Sequence, residues 1–290
     1  MADTNNQYHT HISSKHKLFS LNLKEVWRYK DLIVLFTKRS FTLTYKQTVL
    51  GPAWIFLNPL ISSLIHAFIF GGVAGFSNDL GENVPTLLFY LVSNAIWTFF
   101  STCITANATT FTANAGVFGK VYFPRLTTPI SNALSSAIRF LVQMLLVGGF
   151  MVYFLITVDS YNPNWLMWLM VPVEMLHLGM LGMGLGIIIS SMTTKYRDLT
   201  VLVTFGVQLW MYITPIVYPL NTLGEGTFRT VMMLNPVTAP TEIMRNAFLG
   251  TEILSGTWTY LGISWAITVA VMFFGIMIFN KVEKTFMDTV

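Results

Sequence analysis

Long apolar runs separated by short polar connections organise this chain. Six of them reach the length of about 20 residues that crosses a hydrocarbon core of roughly 30 Å: residues 51–76, 85–111, 128–157, 165–192, 199–220 and 258–280. Ahead of the first lies a leader in which Val26, Leu32, Val34, Leu35 and Phe36 are interrupted by cations, a pattern that predicts an amphipathic helix over 24–48 at a membrane surface. After the fifth run, Pro215 and Pro219 in "MYITPIVYPL" predict that the helix stops or kinks. The next segment, "LNPVTAPTEIMRNAFLG" (234–250), is too polar to span alone. It reads as short helical structure on the outer side, re-entrant where protein or water covers its backbone.

Composition fits this pattern. Of 290 residues, 53% are hydrophobic and 10% charged, against about 25% charged in an ordinary soluble domain. Cys103 is alone, so no intrachain disulfide or cysteine-based zinc site is expected. Net charge is +4, and the position of the cations decides its meaning: they flank membrane segments, which argues against a nucleic-acid footprint. Fourteen of the seventeen lie in the leader (Lys15, Lys17, Lys24, Arg28, Lys30, Lys38, Arg39, Lys46), in two connections (Lys120, Arg125; Lys195, Arg197) and in the tail (Lys281, Lys284). The opposite connections carry only Arg229 and Arg245, outnumbered by Glu225, Glu242 and Glu252. Positive charge stays inside, so both termini are expected in the cytoplasm. The predicted fold is an all-α membrane protein with six transmembrane helices over 49–280, a polar tail over 1–23 and a cytoplasmic tail over 281–290. His9, His11 and His16 belong to that first tail and no metal site is expected; no cleaved signal peptide is expected either.

The stretch "GVFGKVYFPRLTTP" (116–129) superficially suggests a phosphate loop. A P-loop requires G-x-x-x-x-G-K-[ST], whereas Gly116 and Gly119 are three apart and Val121 follows Lys120. No ATP site is therefore expected in this chain. The stretch instead offers Phe118, Lys120, Tyr122, Phe123, Pro124 and Arg125 on a cytoplasmic connection, either as exposed docking residues for a partner or as interface anchors of the adjacent span. In "TTKYRD", Tyr196, Arg197 and Asp198 precede the fifth span, either as a structural helix end with Asp198 placed to cap it or as a direct contact for a partner protein.

Polar residues inside the spans require an account, because ionisable groups are expensive there. Glu174 and His177, at i and i+3, share one helix face, either as a proton relay or as a polar pair facing the bundle interior or a channel. Gly179, Gly182, Gly184 and Gly186 predict close helix packing. Asn94, Ser101, Thr102, Thr105 and Asn107 make the second span a candidate channel wall.

Four motifs together, "VLGPAWIFLNPL" (49–60), "GKVYFPRLTTPIS" (119–131), "KYRDLTVLVTFGVQLWMYITPIVYP" (195–219) and 234–250, resemble the permease subunits of bacterial ABC exporters for lipid-linked polysaccharide such as O-antigen, capsule and teichoic acid. The resemblance covers about residues 30–280. It implies a homodimer in the cytoplasmic membrane bound to two copies of a separate P-loop ATPase, which would hold ATP and Mg²⁺, with no cofactor or catalytic residue in this chain. It also implies ATPase coupling through the loop around Lys120 to Arg125, a gate role for the 24–48 helix, and a pair of short helices at the outer mouth. The family pattern often carries an acid where Arg139 stands, so no role transfers to that position. On this reading Lys38, Arg39 and Lys46 are candidates for the pyrophosphate of an undecaprenyl-linked glycan, although attraction to lipid also explains them. Trp54, Phe56, Phe68, Trp97, Phe205, Trp210, Tyr212 and Tyr218 are candidate surfaces on which sugars slide, or else lipid-facing interface aromatics. A permease for a drug or simpler lipid and a proton-coupled transporter remain as alternatives.

Overall fold

The computed structural model of the protein describes residues 23–46, 48–81, 83–196 and 198–289. Residues 1–22 of the tail predicted over 1–23, and Arg197, lie outside the described residues, and Leu23 begins a helix. Among the described residues there are helices and turns and no strand. Short α1 (Leu23–Arg28) leads into α2 (Lys30–Tyr45), then α3 (Trp54–His66), α4 (Thr86–Ala108), α5 (Thr110–Phe118) and α6 (Thr127–Thr157). They are followed by α7 (Val171–Thr193), α8 (Leu199–Ile213), α9 (Thr227–Leu234), α10 (Thr238–Leu249) and α11 (Thr257–Thr289).

Five helical segments are long and apolar enough to cross a membrane: Gly51–Val73, Thr86–Ala108, Thr127–Thr157, Met167–Thr193 and Thr257–Val282. The first is α3 prolonged by the wider π-type turns of Ala67–Val73. The second ends at Ala108, short of the predicted 111, and α5 restarts after Thr109. The run predicted over 199–220 is a helix only as far as Ile213, about 22 Å at 1.5 Å per residue. Its end has a local cause. Thr214 precedes Pro215 and takes extended backbone, φ −86° and ψ 141°, because the proline ring excludes the helical conformation from the residue before it. The tail predicted over 281–290 continues α11, which remains helical to Thr289.

The central element is α4. It is 78% buried over its apolar window, whereas the window of α6 is 22% buried and that of α3 with its extension 17%. Most of the apolar surface of α3 and α6 thus lies outside the core of this chain. Against α4 lies α7, and the expected glycine packing is what allows the approach. A Cβ on Gly182 would meet Phe100 O at 3.1 Å, and one on Gly186 would meet Ile104 O at 2.8 Å and also strike the Asn107 side chain. On the other side of α7, Gly184 faces the backbone of Met272 in α11. Close helix approach of this kind substitutes for the hydrophobic drive that lipid does not supply.

Gly186→Leu should therefore force α4 and α7 apart, lowering stability by about 1–3 kcal/mol or preventing folding. Gly148→Ala, where nothing lies within 4 Å of the added carbon, should be neutral. Thermal unfolding of the two variants in detergent checks the contrast.

Candidate functional site

A cavity of about 360 Å³ opens between α3, α4, α6 and α8. From α3 come Trp54, Asn58, Pro59, Ser62 and His66, from α4 Asn94, Trp97 and Thr102, from α6 Arg139 and Gln143, and from α8 Gln208 and Tyr212. Trp54 and His66 are twelve positions apart, so the cavity extends about 18 Å along the helix. Asn94, 5% exposed, donates Nδ2 to Ser63 Oγ at 2.9 Å and lies 3.1 Å from His66 Nδ1. The wall therefore mixes aromatic faces with amides and hydroxyls, a lining that suits a hydroxyl-rich ligand with apolar C–H faces.

Of the aromatic residues expected to act together, Trp54, Trp97 and Tyr212 do meet at this cavity. Trp210 backs it, packing on Trp97 and Phe100 at 6.4 and 5.4 Å between ring centres. The remaining four are elsewhere. Phe56 lines a separate apolar groove with Phe150 and Tyr153, Phe68 and Phe205 are exposed, and Tyr218 packs on Phe76. The α4 polar set also divides. Asn94 and Thr102 face the cavity, whereas Asn107 bonds Cys103 O within its own helix and Thr105 bonds Ser101 O.

At the end of the bundle that carries α2, the loop 119–126 departs from expectation in one respect. Phe118 and Phe123 are not exposed; each is 5% accessible. Their rings are 5.6 Å apart, Phe123 meets Phe36 of α2 at 5.6 Å, and Phe118 meets Phe111, which stacks on Phe279. Aromatic burial outweighs display here because five rings from α2, α5, α11 and the loop complete one apolar cluster. Arg125 sits 5.6 Å over the Phe118 ring, and Pro124 is half-buried. The exposed tip consists of Lys120, Val121 and Tyr122.

Helix α2 runs alongside α6 in the same direction. Across the pair Ser131 Oγ donates to Ile33 O at 3.2 Å and Thr37 Oγ1 to Ser131 O at 3.4 Å, and further on Arg139 Nη2 donates to Thr44 Oγ1 at 3.0 Å. Lys38, Arg39 and Lys46 are exposed and do not line the cavity. The cation on its wall is Arg139, the position to which the family resemblance transferred no role. Asp198 occupies the first position before α8 but makes no side-chain cap bond, because its backbone is already helical instead of extended as a capping residue requires. Beside it, Lys195 lies 5.3 Å over the Tyr196 ring.

Two buried polar pairs lie away from the cavity. His177 Nδ1 is 2.9 Å from Glu174 Oε2, both side chains fully buried. The same imidazole faces Thr268 and Ser264 of α11 at 2.9 and 3.1 Å and stacks on Trp265. This pair thus faces the bundle interior. Arg245 of α10 is 1% exposed. It donates to Glu242 Oε1 at 2.7 Å, Ser93 Oγ at 2.9 Å and Ile216 O at 3.0 Å, and lies 4.1 Å over the Phe89 ring.

A family model described as ABC-2 type transporter matches residues 31–249. The chain belongs to this family. Among its relatives are two Klebsiella pneumoniae proteins named O-antigen export system permease protein RfbA, 27% and 26% identical over 260 residues, which is 89% of this chain and 94% of each relative. A Myxococcus xanthus protein of the same name is 27% identical over 219 residues, 74% of this chain and 79% of that one. This ABC-2 chain is thus a multi-pass membrane protein and a transport subunit, and the matched region holds α2 to α10 with the whole cavity.

Removing the guanidinium at position 245 would leave the Glu242 carboxylate buried without its cation, which costs about 3–5 kcal/mol. Arg245→Ala should therefore abolish or severely reduce the detergent-stable protein, measured by size-exclusion chromatography. Glu225→Ala, at an exposed position, should leave the elution profile unchanged.

Proposed function

We propose that this chain is the permease subunit of an ATP-driven exporter that moves a lipid-linked, O-antigen-like polysaccharide across the cytoplasmic membrane through a channel between two copies. The observation that carries the reading is the cavity itself: Trp54, Trp97 and Tyr212 supply stacking surfaces among Asn58, Asn94, Gln143 and Gln208. Relatives named as O-antigen export permeases over 94% of their length support it.

In this reading α8 and the extended segment after it form a sixth crossing, with α9 and α10 at the outer mouth. The excess of lysine and arginine at the α2 end makes that end cytoplasmic, and both termini with it. ATP and Mg²⁺ belong to two copies of a separate P-loop ATPase. The ATPase docks on the tip formed by Lys120, Val121 and Tyr122, while Phe123 carries the displacement inward to Phe36. The substrate's carrier is an undecaprenyl lipid, drawn to the interface by the exposed Lys38, Arg39 and Lys46.

Deleting the gene should remove the polysaccharide from the cell surface and trap it in the cytoplasm, and membrane vesicles should export it only with ATP. Retention of surface polysaccharide in the deletion strain would refute the reading. Lys120→Glu combined with Tyr122→Ala should reduce co-purification of the ATPase by about tenfold, the equivalent of about 1.4 kcal/mol, with the chain still inserted; pull-down from membranes measures it.

A further inference from the structure

Arg139 is a cation at an intramembrane position, thirteenth in a 31-residue helix. Arginine in such a place is costly unless something answers its charge. Among the described residues lining the cavity no carboxylate does so. The guanidinium has five N–H donors, and its protein acceptors are hydroxyls: Thr44 Oγ1 at 3.0 Å and, at the margin, Ser135 Oγ at 3.5 Å. Its Nε is buried with no hydrogen-bond partner.

One helical turn further on, Gln143 is 6% exposed and also lines the cavity. Its Oε1 is buried and unpartnered. Side chains at i and i+4 lie on the same face, so the guanidinium and the amide share one wall, and the unpartnered Oε1, an acceptor, answers the cation's donors and supplies no counter-charge. Buried polar groups are as a rule hydrogen-bonded. What the wall leaves unanswered is the positive charge of Arg139, since its partners are neutral hydroxyls and among the described residues no carboxylate lines the cavity.

We propose that Arg139 forms an oxyanion subsite in this cavity, at which a phosphate or carboxylate of the substrate binds. The inference rests on the exporter reading and deepens it: the cargo is anionic at the point where it passes α6. A guanidinium suits either group, since its planar fork matches two oxygens at once. The oxyanion comes either from the phosphate of the lipid carrier or from an acidic sugar of the polymer, and the two sources can be separated.

The full chain in phosphatidylcholine nanodiscs, followed by tryptophan fluorescence because Trp54 and Trp97 line the cavity, is titrated with undecaprenyl pyrophosphate, an oligoglucuronate and a neutral gluco-oligosaccharide. At least one anionic probe should bind about tenfold more tightly than the neutral one. Preference for the first identifies the lipid phosphate as the source, and preference for the second identifies the sugar acid. Arg139→Gln should erase the preference, and Arg139→Lys, which keeps the charge without the planar fork, should keep only part of it. Thr44→Ala, which removes only the contact to α2, should leave it intact. Equal affinity for charged and neutral probes, or an unchanged preference in Arg139→Gln, overturns the subsite. In the deletion strain, full export by Arg139→Gln would overturn the inference while leaving the exporter standing. If that strain keeps its surface polysaccharide, the exporter reading fails and the binding comparison still decides the subsite.

Discussion

The arrangement of the bundle depends on how backbone is satisfied where α8 ends. From Thr214 to Val217 the chain leaves the helical ladder after an apolar helix, where exposed carbonyls could not be left to lipid. Arg245 takes Ile216 O, and Tyr90 OH donates to Val217 O at 3.2 Å. Asn235 Nδ2 donates to Thr214 Oγ1 at 2.8 Å. Because the same guanidinium also holds Ser93 of α4 and Glu242 of α10, one side chain fixes three elements at once. The position of α8 against α4, and with it the wall carrying Gln208 and Tyr212, follows from this tie.

The tie also explains why α10 can be buried along its whole length although its sequence includes a glutamate, an arginine and an asparagine. Each charge answers the other, and Asn246 accepts from Asn164 Nδ2 at 2.9 Å. At the other end of the molecule the organising force is aromatic. Phe123 joins the loop to Phe36 of α2, α2 bonds to α6 through Thr37 and Ser131, and Thr44 reaches Arg139 on the cavity wall. An unbroken line of contacts thus runs from the exposed loop tip to the cavity.

Much of this was legible in sequence because lipid imposes simple demands. The lengths of five of the six predicted spans, the glycines of α7 and the proline stop after α8 follow from local rules that tertiary packing did not override. The cavity was harder to read. Trp54, Trp97 and Tyr212 could be named as candidates, but periodicity alone could not separate them from Phe68 and Phe205, which are exposed, or from Phe56, which faces another groove. Phe118 and Phe123 were misread as exposed because loop position predicts accessibility only when no neighbouring helix offers an apolar cluster. Arg139 did leave a signal, the one charged residue of its predicted span. What the sequence lacked was the cavity that gives the charge its meaning.

Pro59 sits inside α3 and, with Ile55, lines the cavity. Proline has no amide hydrogen, so the Ile55 carbonyl is denied its usual donor four residues on. That missing bond belongs to the main chain. Exchange of the side chains that line the cavity would leave it as it is, so this feature of the wall persists as long as the proline does.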